Sequence, residues 1–156
     1  MKTLKSFDFE ARSSGCDTNL AAEFHVLSIL HRLGMNATLT LGNKKRVDIV
    51  IALDAGRAIT VDVKGLKGTT NWPIDNLKQA DENHFIIFVT FLDKISDPSV
   101  VPEVYIVPSK KVLEPVVVPS KSVVYENPAK SRRVVPVRKA RKLWREYRDN
   151  WQLLLQ

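Results

Sequence analysis

Four charged residues have the types and spacing to do chemistry together: Glu23, Asp48, Asp62 and Lys64. Two of them sit in "ITVDVKGLKG", from Ile59 to Gly68, which alternates like a strand. Ile59, Val61 and Val63 point one way, while Thr60, Asp62 and Lys64 point the other, so an acid and a base share one face. The preceding "VDIVIAL" reads as a second strand, and the intervening Asp54, Ala55 and Gly56 are a hairpin signal. A turn centred on Ala55 sets Leu53 against Arg57, Ile51 against Ile59 and Asp48 against Asp62. The two carboxylates then face each other with Cβ atoms roughly 4.5–5.5 Å apart, which is destabilising unless something neutralises them. A divalent cation would do so, because hard ions such as Mg²⁺ take carboxylate and carbonyl oxygens. In a purely structural arrangement Lys64 alone would balance the acids. A slip of one residue would send the two acids to opposite faces, so the pairing depends on this register.

A third acid comes from a helix. Asp17 or Thr18 can cap a helix whose Leu20, Phe24, Leu27, Leu30 and Leu33 recur at helical spacing, with Gly34 suited to its stop. Glu23 falls on the same stripe as Leu20, Val26, Leu27 and Leu30, so its carboxylate should face the core, a costly position without a partner.

The other elements frame these residues. "NATLTL" (Asn36 to Leu41) alternates like a strand, and "GNKKR" (Gly42 to Arg46) reads as a polar turn. A short helix is expected from about Ile74 to Ala80. "HFIIFVTFL" (His84 to Leu92) reads as a central strand buried on both sides, and "EVYIV" (Glu103 to Val107) as another. Seven of the eight prolines lie between Pro98 and Pro136, which argues against long helices or central strands there and for extended segments wrapping the core. The last element is expected to be a helix from about Arg138 to Leu155. Ala140, Leu143, Trp144, Tyr147, Trp151 and Leu154 form its apolar stripe, opposite Arg138, Arg141, Lys142, Arg145 and Arg148. Met1 to Gly15 is either a lead-in strand or a loose arm.

Composition limits the classes. With 156 residues, 44% apolar and 26% charged, the chain fits one soluble domain. The single Cys16 excludes an internal disulfide and a multi-cysteine zinc site, and His25, His31 and His84 are too scattered for a metal cluster. "FIIFVTFL" is too short to cross a membrane, and no apolar segment follows Met1 and Lys2, so a cytoplasmic protein is expected. From Met1 to Pro119 there are 14 Lys and Arg against 14 Asp and Glu, whereas from Ser120 onward there are 10 against 3. The whole excess of +7 thus lies in the C-terminal quarter, which points to an anionic partner such as nucleic acid or else to a solvated basic face. In "KGLKGTT", Lys67 and the nearby backbone could meet a phosphate, although an ordinary turn is the simpler reading. Trp72, beside Pro73, fits packing under a loop better than stacking on a base.

Glu23 on the first helix, Asp48 opening one strand and Asp62-Val63-Lys64 ending the next resemble the PD-(D/E)XK nuclease superfamily, including its restriction-endonuclease-like and Holliday-junction-resolvase-like branches. The expected order α-β-β-β-α-β, over about residues 17–107, is similar too, although Val47 rather than proline precedes Asp48. The resemblance implies an α/β fold, a restriction-endonuclease-like core with a mixed sheet flanked by helices. A Pro-rich wrapping segment and a basic C-terminal helix, about 108–156, would complete a single domain over 1–156. It further implies that Asp48 and Asp62 hold Mg²⁺ (Mn²⁺ substituting) with help from the Val63 carbonyl, and that Glu23 completes the site directly or through water. Lys64 would orient the attacking water or stabilise developing charge. The implied activity is hydrolysis of DNA phosphodiester bonds, with Lys67, Arg138, Arg141, Lys142, Arg145 and Arg148 as DNA contacts. The alternatives are a catalytically silent binding module on the same fold and an RNA-directed nuclease. Double-strand cleavage would use two active sites, hence a homodimer.

Overall fold

Helix α1 (Thr18–Arg32) starts where expected: Asp17 is extended, and its carboxylate accepts the Leu20 N–H at 2.9 Å. Gly34, at φ +78°, ends the helical run in a conformation suited to glycine. The computed structural model describes residues 17–41, 47–77 and 80–156. The expected lead-in at 1–15 and the polar turn at 42–46 lie outside the described residues.

Strands β1 (Asn36–Leu39), β2 (Ile49–Ala52) and β3 (Ala58–Leu66) form an antiparallel meander. The β2–β3 reversal is a 3₁₀ turn at Asp54–Gly56, with Gly56 at φ +75°, and it sets Ile51 against Ile59 as the sequence predicts. Strand β5 (His84–Thr90) runs parallel to β3, and β6 (Glu103–Pro108) antiparallel to β5, giving a mixed sheet in the order β1-β2-β3-β5-β6.

A parallel pair needs a crossover, usually a helix. The helix expected at 74–80 is not formed in its described part. Instead β4 (Asn71–Pro73) joins a small second sheet in the order β4-β8-β7, with β7 at Tyr125–Asn127 and β8 at Arg132–Pro136. The competing contacts are specific. The Ile74 N–H donates to the Arg133 carbonyl at 3.0 Å, and the Asp75 carboxylate accepts the Arg133 N–H at 2.7 Å. These bonds tie the chain just after β4 to β8, so that it makes only a single turn, with the Leu77 N–H donating to the Ile74 carbonyl at 3.1 Å, and Pro73 has no amide to offer a helix. Strand β8 is also a correction, since it is the central strand of its sheet inside the Pro-rich stretch. Pro136 is its last residue, so proline ends the ladder there rather than interrupting it.

The large sheet is covered on both faces. Ala22, Val26 and Leu30 of α1 pack on Ile49, Ile51, Ile59, Val61, Val63, Ile87 and Ile106 on the first face. On the second, Ile86, Phe88, Tyr105 and Val107 meet Trp72, Val135, Val137 and Trp144. Alternate residues of β5 serve the two cores, which accounts for its unbroken apolar run. Trp72 is fully buried and donates Nε1–H to the Val89 carbonyl at 3.0 Å, so it packs rather than stacks on a ligand.

The inward face of α1 differs from the leucine stripe. Ala22, Glu23, Val26 and Leu30 are buried, whereas Leu20, Phe24 and Leu33 are 42–54% exposed. The small Ala22 lets the helix approach β3 closely, and that approach sets its rotation.

The continuous C-terminal helix is corrected too. After the one-turn helix α2 (Ser109–Val112), helix α3 covers only Val137–Leu143, followed by 3₁₀ turns at Arg145–Tyr147 and Trp151–Leu155. Trp144 belongs to the second-face core and Leu154 to the first, so one straight helix could not bury both. The chain crosses the sheet edge between them. Arg148 bridges to Tyr105, and the Asp149 N–H, from a residue at φ +50°, donates to the Val104 carbonyl at 3.0 Å. The passage also shields part of β6, an edge strand of the large sheet. No helix among the described residues is long and apolar enough to cross a membrane.

Candidate active site

The β2–β3 register agrees with the sequence: Ile49 pairs with Val61, so one further step sets Asp48 against Asp62. A local distortion changes the outcome. The Leu53 N–H donates to the Arg57 carbonyl, so the odd-numbered pairs of this ladder exchange hydrogen bonds and Ile49–Val61 is one of them. The Asp48 N–H also donates to the Val61 carbonyl, at 2.9 Å. Two residues, Asp48 and Ile49, therefore oppose one, which is a β-bulge. It re-aims Asp48, whose Oδ2 accepts the Val63 N–H at 2.7 Å. The expected head-on meeting of two carboxylates is thus replaced by a carboxylate capping the strand that carries Asp62 and Lys64.

Thr40, just beyond β1, secures the distortion. Its N–H donates to the Asp48 carbonyl at 2.8 Å, and its hydroxyl donates to the Val47 carbonyl. Sequence reasoning missed Thr40; the signal available was the β1–β2 register, which sets residue 40 against 48 once the pairing is known.

Asp62 and Lys64 are both half-buried, on the β3 face opposite α1. His84 approaches Asp62, with Nε2 3.6 Å from Oδ2, and its Nδ1 lies 2.8 Å from the Thr60 hydroxyl. His84, the first residue of β5, faces Thr60 across the parallel β3–β5 pair. Glu23 is buried at 6% exposure, as its place on the helix implied. Among the described residues, no three His, Cys, Asp or Glu side chains gather closely enough to hold a metal ion.

Gly65, next to Lys64, fixes α1 against β3. A Cβ there would lie 2.6 Å from the Thr18 carbonyl oxygen and 3.1 Å from the Ala22 Cβ. Asn19 accepts the Gly65 N–H at 3.1 Å, joining the first turn of the helix to the strand. Gly65 is therefore a strand residue at a close approach, not part of a turn. Gly65→Ala should force α1 and β3 apart and cost about 1–3 kcal/mol, read as a lower midpoint in thermal or urea denaturation.

The basic residues separate into two kinds. Arg141, read from the sequence as a DNA contact, donates Nε–H and Nη2–H to the buried Glu103 carboxylate at 3.0–3.2 Å. Arg133 lies 2.9 Å from Glu126, and the Lys139 ammonium donates to the Pro119 and Ser122 carbonyls. Part of the C-terminal excess is thus structural. Lys67, Arg138, Lys142, Arg145 and Arg148 are exposed, with Arg148 also 3.9 Å from Asp149. The expected basic stripe is not one helical face, because α3 ends before Arg145.

No protein-family model matches the chain, and no curated protein matches its sequence. Among solved structures, its fold is similar to that of a bacterial homing endonuclease, I-Ssp6803I, with a TM-score of 0.51 and 17% sequence identity over 89% of each chain. At that identity the likeness is one of fold alone, a mixed α/β architecture.

Proposed function

We propose that this chain is a metal-dependent endonuclease of PD-(D/E)XK type that hydrolyses DNA phosphodiester bonds. The observation that carries the reading is the Asp48 carboxylate held on the Val63 N–H, between Asp62 and Lys64 in sequence. The homing-endonuclease likeness of the fold supports it.

Asp48, Asp62 and the Val63 carbonyl would hold the ion. The carbonyl leaves β3 on the same edge as the N–H that Asp48 occupies. These hard oxygen donors suit Mg²⁺ or Mn²⁺, and a set without three gathered carboxylates matches the habit of Mg²⁺, which takes one or two carboxylates plus water and substrate phosphate. When bound, the ion would lower the pKa of an attacking water and stabilise charge on the scissile phosphate. The protein's own part is positional. The bulge and Thr40 fix Asp48, and Lys64 orients the water or balances charge on the phosphate. Glu23, buried under α1, lies on the other face of the sheet from Asp62 and Lys64, so any part it has in the site would be indirect. Lys67, Arg138, Lys142, Arg145 and Arg148 are the exposed cations suited to the nucleic-acid backbone. Two copies of the chain would supply the two sites that double-strand cleavage needs.

A silent nucleic-acid- or partner-binding module is the second reading. It is favoured by the partners that Asp48 and Asp62 already have, the Val63 N–H and His84. Incubating the chain in Mg²⁺ with plasmid, linear, branched and single-stranded DNA and with RNA separates the two. Cleavage of at least one DNA substrate is expected. Cleavage confined to RNA would move the activity to RNA, and binding without cleavage of any substrate would favour the silent module.

A further inference from the structure

His84 stands out because both its ring nitrogens are directed at polar groups of β3 on a face that is otherwise apolar further along β5. Ile86 and Phe88 follow it on that face and are fully buried, whereas the His84 and Asp62 side chains are only 12% and 15% exposed. The residue before it, Asn83, is tied down as well. The Thr60 N–H donates to the Asn83 carbonyl at 2.9 Å, and Asp81 accepts the Asn83 N–H at 3.1 Å. A ring that only filled space would not need Nδ1 on a hydroxyl and Nε2 beside a carboxylate.

The hydrogen positions follow from the geometry. A bare Nε2 lone pair 3.6 Å from the Asp62 carboxylate would be repelled, so the proton belongs on Nε2. The Thr60 hydroxyl then donates to Nδ1 at 2.8 Å in preference to the Asn83 carbonyl at 3.4 Å. This is the arrangement by which outer groups orient a metal-binding side chain, with one ring nitrogen anchored and the other aimed.

We propose that His84 is a positioning residue for Asp62: the Thr60 hydroxyl anchors its ring, and its Nε2–H holds Oδ2 on the β5 side of the strand, leaving Oδ1 for an ion on the β2 side, where Asp48 lies. The proposal rests on the reading of Asp62 as a metal-holding acid. It adds Thr60 and His84 to the machinery as groups that act through Asp62 and touch neither ion nor substrate.

The test compares wild type with His84→Ala, His84→Gln, His84→Asn and Thr60→Val, by Mn²⁺ calorimetry, thermal midpoint and NMR of the metal-free protein. The wild-type ring should carry its proton on Nε2, and the Asp62 carboxyl carbon resonance should move in His84→Ala. Mn²⁺ affinity should fall about 10-fold in His84→Ala. Gln should restore most of it, because its amide nitrogen reaches the place of Nε2, while Asn, matching Nδ1, should not. Thr60→Val, which keeps the ring and frees only its anchor, should give a smaller loss and covers the case in which His84→Ala fails to fold. A proton on Nδ1, an unmoved Asp62 resonance, or equal rescue by Asn and Gln would overturn the proposal. Undiminished Mn²⁺ binding in a folded His84→Ala would overturn it as well, while leaving the nuclease reading intact. Failure of the wild type to bind Mn²⁺ even with DNA present would instead remove the metal reading, and the proposal's claim on metal affinity with it. The metal-free NMR measurements would still decide whether His84 orients Asp62.

Discussion

Lys64→Ala should lower the single-turnover rate of cleavage of saturatingly bound DNA by on the order of 10²–10³-fold, the usual cost of removing one group that stabilises transition-state charge. Stability should change by less than about 0.5 kcal/mol, because Lys64 is half-buried on an open strand face rather than sealed in either core. Affinity for DNA should change by no more than the loss of one phosphate contact. Rate, affinity and melting midpoint measured on the same preparation separate these effects. A rate within threefold of wild type would remove Lys64 from the chemistry, and a large fall in midpoint would make it a structural cation for the neighbouring acids.

Arg141→Gln should destabilise the fold. Burial alone would push the Glu103 carboxyl up, but the Arg141 guanidinium and the Tyr105 hydroxyl, which donates to Glu103 at 2.6 Å, outweigh it and hold the group below its ordinary 4.5. Burial, together with the bonded Glu103, pushes the Tyr105 hydroxyl well above the usual tyrosine range. Losing one partner of a fully buried pair costs about 3–5 kcal/mol. The Arg141 side chain is 45% exposed, so water takes up part of the loss; we expect about 2 kcal/mol, or roughly 4–8 °C in midpoint. The sign with pH follows from the depressed carboxyl. The contribution is complete above the ordinary 4.5 and is lost as pH falls through the lower folded value. The midpoints of wild type and Arg141→Gln should therefore converge in acid. Lys142→Gln, at an exposed neighbour, should leave the midpoint nearly unchanged. Equal midpoints for wild type and Arg141→Gln at neutral pH would mean that Arg141 is free to contact nucleic acid after all.

The parts of this molecule legible in its sequence are those fixed by neighbours in the chain. The Asp54–Gly56 turn sets the β2–β3 register by itself, Asp17 and Gly34 bound α1, and the apolar run of β5 announces a strand buried on both faces. The parts that escaped are set by distant contacts. Counting leucines misjudged the face of α1, because the helix turns to seat Ala22 against Gly65 on β3. The C-terminal apolar stripe was real, yet its two ends serve opposite faces of the sheet, which breaks the helix near Trp144 and Asp149. Residues 71–75 follow β8, some sixty positions away, rather than their own tendency to coil into a helix.

The candidate site divides in the same way. Glu23, Asp48, Asp62 and Lys64 follow from periodicity and one hairpin. The bulge at Asp48 depends on Thr40 across β1, and the approach to Asp62 depends on His84 across β5. Neither has a local signature, since threonine at a strand end and histidine after a turn are both ordinary residues.

The most direct measurement is the conversion of supercoiled plasmid by purified wild-type chain in Mg²⁺, with chelator in a parallel reaction and Asp62→Asn alongside. Metal-dependent cleavage through Asp62 requires nicked or linear product from the wild type in Mg²⁺, little or none in chelator, and little or none from Asp62→Asn while its melting midpoint stays close to wild type. Equal cleavage by Asp62→Asn, or full cleavage in excess chelator, would contradict it.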